Sequence, residues 1–160
     1  MKIDYTPCFI LHRRNFSESS FILEIFSRDY GRINLIAKGA KKNKKYQGTN
    51  FDLYQKYNIS WISKSELGIL TGIDVIRSKT YFIAKKAITA FYINEIILKL
   101  LHKDEPHAEL FDIYELTLRK LFSNENEKII LRYFEKQLLE SLGYGISLDH
   151  DIKTGLSIMP

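Results

Sequence analysis

The chain has 160 residues, of which 45% are hydrophobic and 27% are charged, a composition typical of a folded globular protein rather than of a disordered segment. Its single cysteine, Cys8, excludes an internal disulfide in this sequence and a structural zinc site built on several thiolates. The amino terminus has no long apolar run, and no stretch of about 18 consecutive apolar residues occurs, so the sequence predicts neither a secretory signal nor a membrane span and indicates the cytoplasm.

The net charge of +5 is unevenly distributed along the chain. Residues 1–80 contain 14 Lys and Arg against 7 Asp and Glu, whereas residues 81–160 contain 10 against 12. This asymmetry predicts that the first half binds a polyanion and that the second half has a different role.

The first half has the alternating pattern of β-strands separated by turns. Apolar segments begin near Phe9 and Phe21, and residues 29–31 (DYG) supply turn chemistry before a strand in residues 32–38. Two longer strands are predicted in residues 53–62 and 67–76, where Gly68 and Gly72 allow bends. Five strands in about 80 residues predict a small Greek-key barrel such as an OB-fold.

Near residues 77–80 the apolar pattern changes to a helical period, which predicts a domain boundary and three helices beyond it. The first helix is predicted at residues 82–102, with an apolar stripe that nearly encircles it and therefore a central position. The second begins near Pro106, and its apolar side is formed by Leu110, Phe111, Tyr114, Leu118, Leu121 and Phe122.

The third helix is predicted to begin after Asn124 as its cap, with Glu127 at the capping-box position, and to stop at residues 142–143. Residues 144–160 are weakly patterned and are interpreted as a tail or as a shortened element. The predicted fold class is therefore α+β, with an OB-fold barrel in residues 1–80 followed by an all-α domain in residues 81–160 that is short at its C-terminus.

A lysine-rich segment in residues 38–50 is the clearest functional feature. Residues 38–50 contain no Asp or Glu, and five lysines lie within eight of these residues: Lys38, Lys41, Lys42, Lys44 and Lys45. Phosphates would relieve this repulsion by releasing condensed counterions, and five such contacts predict a salt-dependence slope of about −4.5 on duplex DNA or about −3.5 on a single strand. A solvated loop that only keeps the protein soluble is the alternative, and the run alone does not decide between them.

Arginine and tyrosine side chains extend this surface in the predicted hairpin order. The arginines at strand ends or in turns beside the loop are Arg13, Arg14, Arg28 and Arg32. The aromatic residues that could stack on bases are Tyr30, Tyr46, Phe26, Tyr54, Tyr57 and Trp61, although core packing is the better interpretation of each one singly. Tyr30, in a turn, and Tyr46, beside the lysines, are the two least expected to be buried. The predicted DNA-binding set consists of these arginines, the five lysines and the two tyrosines.

The sequence predicts that the protein is not an enzyme and has no cofactor. It contains no visible Ser-His-Asp or Cys-His arrangement, paired acid motif, phosphate-binding glycine loop or dinucleotide fingerprint. His102 and His107 flank two carboxylates, but their spacing around Pro106 does not place them on one helical face, so a metal site is not predicted.

Several ordered segments resemble the RecO family of recombination mediators. In the first half they are residues 9–14 (FILHRR), 17–20 (SESS) and 27–40 (SRDYGRINLIAKGA). In the second half they are residues 92–101 (YINEIILKLL), 104–115 (DEPHAELFDIYE), 132–135 (RYFE) and 142–145 (LGYG). Ordered matches over about 140 residues are more specific than any single short motif.

The resemblance implies an N-terminal OB-fold and a helical domain, binding of single- and double-stranded DNA, annealing of complementary strands, and cooperation with RecR. It also implies contact with single-stranded DNA-binding protein, so that RecA can load onto strands which that protein had covered, and a location in the cytoplasm on the nucleoid. RecO-like chains usually continue well past residues 154–155 with more helices and, in some members, a cysteine zinc module. We therefore expect either a fragment or a naturally short form.

Two other functions remain open. In one, the chain is a protein-interaction adaptor whose helical surface binds a partner while the basic loop only solubilises it. In the other, the barrel is an RNA-binding OB module.

Overall fold

A computed structural model describes residues 1–46, 49–63, 66–76 and 84–145 of the chain, except for the side chain of Lys45. Its elements are β1 (Lys2–Asn15), β2 (Phe21–Ser27), β3 (Gly31–Ala37), β4 (Lys56–Ile62), β5 (Leu67–Val75), α1 (Ala87–Leu100), α2 (Ala108–Leu121) and α3 (Glu127–Ser141). Strands followed by helices confirm the predicted α+β class. The predicted domain boundary at residue 80, the predicted helix start at residue 82 and residues 146–160 lie outside the described residues.

The five strands close into a barrel in the order β1-β2-β3-β5-β4. β3 and β5 are parallel, and the other neighbours are antiparallel. β1 is long enough to pair with β4 through residues 2–9 and with β2 through residues 8–15, and its register shifts let it bend around the barrel. This arrangement agrees with the predicted OB-like fold.

The helices pack on part of the outer face of the barrel, where they bury apolar residues of β1 and β2. Leu23 and Ile25 belong to the barrel interior, where Trp61 and Tyr57 are also buried. Phe26 points the other way, and its ring centroid lies 5.4 Å from that of Phe111 in α2. Packing against the helices therefore explains why Phe26 is buried on the outer face of β2.

A buried hydrogen-bond network joins the helices to the barrel. The Asn94 side-chain amide in α1 donates to the carbonyl of Leu11 in β1 (2.9 Å), and the Tyr114 hydroxyl in α2 donates to Asn94 Oδ1 (2.6 Å). Burial raises the pKa of Tyr114 well above its ordinary value, so the hydroxyl remains a proton donor. This network satisfies polar groups that would otherwise be costly to bury.

The turn between β2 and β3 also contacts the helical part closely. Gly31 has a φ of +69°, and a Cβ built on it would lie 1.9 Å from the carbonyl oxygen of Glu105, in the connection between α1 and α2. Both the backbone conformation and this close approach require glycine.

α1 is not the central helix that the sequence pattern predicts. Its buried residues are Ala90, Ile93, Asn94 and Ile97, which form one face. Ile88 and Phe91 on the other side are 82% and 54% exposed. In contrast, the predicted apolar side of α2 is confirmed, because all six of its residues are buried. Among the described residues, no helix is both long and apolar enough to cross a membrane.

The predicted cap of α3 is wrong by two residues. Asn126, not Asn124, is the N-cap, and its side chain accepts a hydrogen bond from the backbone N–H of Lys128 (3.0 Å). At the other end, Gly143 has a φ of +82°, and the N–H groups of Gly143 and Tyr144 donate to the carbonyls of Glu140 and Leu139. This motif confirms the predicted end of the helix.

Candidate nucleic-acid interface

Strand register collects basic residues at one end of the barrel. β2 pairs with β1 and β3 so that Phe21 faces Asn15 on one side and Ala37 on the other. The end of β1, which contains Arg13 and Arg14, therefore lies beside the end of β3, where the lysine-rich segment begins. We call Arg13, Arg14, Lys38, Lys41, Lys42 and Lys44 the basic end, and residues 38–50 the lysine loop.

The lysine loop is held by backbone hydrogen bonds to the β1–β2 turn. The N–H of Lys41 donates to the carbonyl of Ser19 (3.1 Å), and its ammonium group lies 3.4 Å from the carbonyl of Ser17. The N–H of Gly39 donates to the hydroxyl of Ser20 (3.2 Å). The loop then continues into a short 3-10 helix, Lys44–Tyr46. These bonds fix the position of the loop without neutralising its charge.

The cations of the basic end are accessible to solvent. Arg13 and Arg14 are exposed, and so are Lys38, Lys41, Lys42 and Lys44, whereas Lys45 has no described side chain. None of these six exposed cations forms an ion pair with another described residue. Their mutual repulsion makes this surface suited to a polyanion.

Arg13 and Lys41 approach the same aromatic ring. The guanidinium carbon of Arg13 and the ammonium nitrogen of Lys41 each lie 5.1 Å from the centroid of Phe21. Arg13 also donates hydrogen bonds to the carbonyls of Asn50 and Phe51, which lie in and just after the lysine loop. These contacts hold the Arg13 and Lys41 cations beside the ring of Phe21, next to the lysine loop.

The prediction that Arg28 and Arg32 lie beside the lysine loop is wrong. The β2–β3 pairing places Ser27 opposite Gly31, so the turn that they flank is at the far end of a seven-residue hairpin, roughly 20 Å away. Arg28 forms a two-pronged ion pair with Asp112 (3.0 and 2.9 Å), which lowers the pKa of that carboxyl by hydrogen bonding.

Arg32 is also engaged at the junction with the helices. Its Nη1 lies 3.3 Å from a carboxylate oxygen of Glu24 and donates to the carbonyl of Leu98 in α1 (2.7 Å). Its side chain is only 14% exposed. Arg28 and Arg32 thus join the barrel to the helices, a role that appears only when the two parts are assembled.

The two tyrosines predicted to be exposed are not freely accessible. Tyr46 is 5% exposed, its hydroxyl donates to the carbonyl of Leu70 (3.2 Å), and burial raises its pKa. Tyr30 is half-buried at the far end, where it packs edge-on against Trp61 with a centroid distance of 5.2 Å. The interior of a small barrel is open at its ends, and these rings help to close it.

Phe16 is an accessible aromatic residue that the sequence interpretation missed. It lies in the β1–β2 turn and is 58% exposed, next to Ser17, whose carbonyl contacts Lys41. The available signal was an aromatic residue within a polar turn, residues 15–20 (NFSESS). Its ring can offer a face to a base at the basic end.

Comparison with known proteins gives a family for the whole described fold. A family model described as "Recombination protein O N terminal" matches residues 1–79, and one described as "Recombination protein O C terminal" matches residues 84–159. The chain belongs to the RecO family. Its resemblance to that family is therefore confirmed.

Curated RecO proteins are similar over nearly the whole chain. "DNA repair protein RecO" of Coxiella burnetii (strain RSA 493 / Nine Mile phase I) is 36% identical over 159 residues, covering 99% of this chain and 68% of that protein. The protein of the same name from Nitrosospira multiformis is 36% identical and covers 96% and 64%, and that from Alkalilimnicola ehrlichii is 38% identical and covers 91% and 57%.

Membership of the RecO family assigns this chain to DNA repair and recombination. The described part of the fold contains no group of three or more His, Cys, Asp and Glu side chains arranged to hold a metal ion.

Proposed function

We propose that this RecO-family chain is a non-enzymatic mediator that binds single- and double-stranded DNA through the basic end of its barrel. The proposal rests on the exposed cations of the basic end, among them Arg14, Lys38 and Lys44. These cations form no ion pairs with described residues. Each phosphate contact releases condensed counterions and therefore favours binding at low salt.

Annealing of complementary strands follows from the same charge distribution. Two single strands repel each other through their phosphates, and a cationic surface that contacts both lowers this repulsion. The basic end needs only to hold the strands close enough for base pairing, and no covalent step is required. This chemistry supports a mediator acting in the cytoplasm on the nucleoid.

The helical surface supports a protein partner as well. One face of α3 lines an open groove of about 660 Å³ in which the exposed side chains of Ile129 and Tyr133 lie among Lys128, Arg132, Lys136 and Glu135. Arg132 is paired with Glu135 and Lys136 with Glu140, so Lys128 is the cation of this groove that forms no ion pair with a described residue. Apolar side chains beside cations are suited to an acidic tail that ends in apolar residues. We propose that single-stranded DNA-binding protein binds here, and that RecR cooperates with the chain so that RecA loads onto the uncovered strand.

The DNA-binding proposal is tested by replacing four lysines of the loop with alanine: Lys41, Lys42, Lys44 and Lys45. Fluorescence anisotropy titrations over a range of salt should show weaker binding to all sequences. Because each lost phosphate contact removes about 0.9 from the slope on duplex DNA and about 0.7 on a single strand, the slope should flatten by up to about 3.6 and 2.8, respectively.

The matched control removes the same charge from the helical part through Lys85, Lys99, Lys103 and Lys120, which are all exposed and lie outside the α3 groove. It should leave the salt slope near that of the parent chain. Unchanged affinity of the loop variant at low salt would exclude the loop as the DNA site.

Two further experiments test the alternative functions. Competition between RNA and DNA of the same sequence distinguishes an RNA-binding module from a DNA-binding one. A pull-down of RecR and single-stranded DNA-binding protein with nuclease present distinguishes a protein-interaction adaptor, because such binding would not depend on nucleic acid.

A further inference from the structure

A pocket of about 470 Å³ lies at the seam between the barrel and the helices. We call it the seam pocket. The segment between the lysine loop and β4 forms one wall, and the helices contribute a residue from α1 and one that follows α2. Its lining consists of Arg13, Phe51, Asp52, Leu53, Tyr54, Gln55, Phe91 and Phe122.

Three aromatic rings form the part of the pocket nearest the helices. The centroid of Tyr54 lies 6.0 Å from that of Phe91 and 5.9 Å from that of Phe122, and both pairs are steeply inclined. Tyr54 and Phe122 are buried, whereas Phe91 is 54% exposed. A half-exposed phenylalanine beside two buried rings offers an aromatic face that a flat ligand can cover.

The opposite part of the pocket carries polar groups. Asp52 is exposed, and Gln55 is held in place because its side-chain amide donates to the carbonyls of Lys56 (2.9 Å) and Ile76 (2.7 Å). Arg13 also lines the pocket. The carboxylate of Asp52 disfavours a phosphate, whereas it can accept hydrogen bonds from the amino groups of a base.

The seam pocket lies next to the basic end, with Phe51 as a shared wall. Phe51 lines both this pocket and the depression formed by Lys41, Lys42 and Lys44, and Arg13 bonds to the backbone between the two. Phe51 and Tyr54 have φ values of +54° and +66°, in the left-handed region that non-glycine residues rarely adopt. Strained backbone of this kind persists where surrounding contacts over-determine it, as at ligand clamps.

We propose that the seam pocket receives one unstacked base of single-stranded DNA while the lysine loop holds the neighbouring phosphates. The inference rests on the proposed DNA binding and adds selectivity to it. Stacking on an aromatic ring accepts every base, and it requires a base that is not enclosed in a duplex. The lysine loop alone does not distinguish single strands from duplexes, so this pocket provides the distinction.

The test compares Phe91→Ala with Ile88→Ala, a more exposed apolar residue on the same helix and outside the pocket. Loss of one base-stacking contact should weaken single-strand binding at least about fivefold and leave duplex binding unchanged. Ile88→Ala should change neither. Equal losses on single strands and duplexes, or no loss on single strands, would overturn the pocket assignment.

A second variant keeps the inference testable even if Phe91→Ala folds poorly. Phe91→Trp retains an aromatic face, so single-strand affinity should be kept. The introduced indole should be quenched by an ordinary single strand and not by an abasic strand with the same number of phosphates. Equal quenching by both strands would contradict base binding.

These outcomes separate the two proposals. If the four-lysine variant loses affinity while Phe91→Ala and Phe91→Trp behave like the parent chain with every strand, DNA binding stands and the base pocket is wrong. If the parent chain binds no DNA at low salt, both proposals are wrong.

Discussion

Tyr46 illustrates how a residue's neighbours in sequence can mislead. It follows the five lysines of the loop, and this setting indicated an exposed ring. In the fold the ring closes one end of the barrel and lies 5.6 Å from that of Phe51. A side chain in a polar segment can still be the nearest one able to fill an apolar opening, and only the folded positions of the strands determine this.

Substitution of Tyr46 should therefore affect stability before it affects binding. Tyr46→Ala should lower the free energy of unfolding by about 3 kcal/mol, because it leaves a cavity in the barrel interior. Urea denaturation followed through Trp61 fluorescence measures the change. Phe16→Ala, which removes an exposed ring near the same loop, is the control and should stay within about 0.5 kcal/mol. A stability of Tyr46→Ala equal to that of Phe16→Ala would contradict the buried position.

The start of α3 depends on which asparagine meets the first free N–H groups of the helix. Both Asn124 and Asn126 precede the helix, and the capping-box spacing to Glu127 favoured the first. The chain turns so that Asn126 has an extended backbone and accepts from Lys128 instead, while Glu127 contacts the hydroxyl of Thr89 in α1. The side chain of Glu127, which the capping-box motif would have placed at the start of α3, therefore contacts α1 instead.

Replacement of each asparagine separates the two assignments. Asn126→Ala should cost about 1 kcal/mol of stability, because it removes the cap hydrogen bond to Lys128. Asn124→Ala should have an effect near zero. Thermal unfolding followed by circular dichroism measures both variants, and a larger loss for Asn124→Ala would support the capping box instead.

The whole molecule is held together across the seam between its two parts. One apolar cluster contains Phe9, Leu11 and Phe26 of the barrel together with side chains of all three helices. Ion pairs surround it, including Lys56 with Glu115 (2.6 Å) and Arg28 with Asp112. A cluster shared in this way predicts that the barrel and the helices unfold in one transition.

Tyr114→Phe tests this cooperation. Removal of the hydroxyl leaves Asn94 Oδ1 buried without that donor, so the stability should fall by about 1–3 kcal/mol. The same shift should appear in Trp61 fluorescence, which reports on the barrel, and in the helical circular dichroism signal. Reaction of Cys8 provides a third probe, because its burial raises the pKa of the thiol and keeps it unreactive until the barrel opens. Separate transitions in the parent chain would contradict a shared unit.

Sequence alone determined the elements of this protein, the charge difference between its halves and its family. Alternation in β3, the helical period of α2 and the glycine that ends α3 are properties of short segments, so they can be read without the fold. The same holds for the lysine loop, whose described lysines are exposed as expected.

Only the tertiary structure decided which of the candidate residues share a surface. Arg13 and Arg28 were both predicted to lie beside the lysine loop, yet strand register places Arg28 at the far end of the β2–β3 hairpin, where helix packing engages both it and Arg32. Phe91 looked like a core residue because its helix is apolar on several sides, and only the docking of α1 left it at a pocket. Local periodicity predicts which face of a helix or strand is apolar, whereas long-range packing determines which part of the protein covers that face.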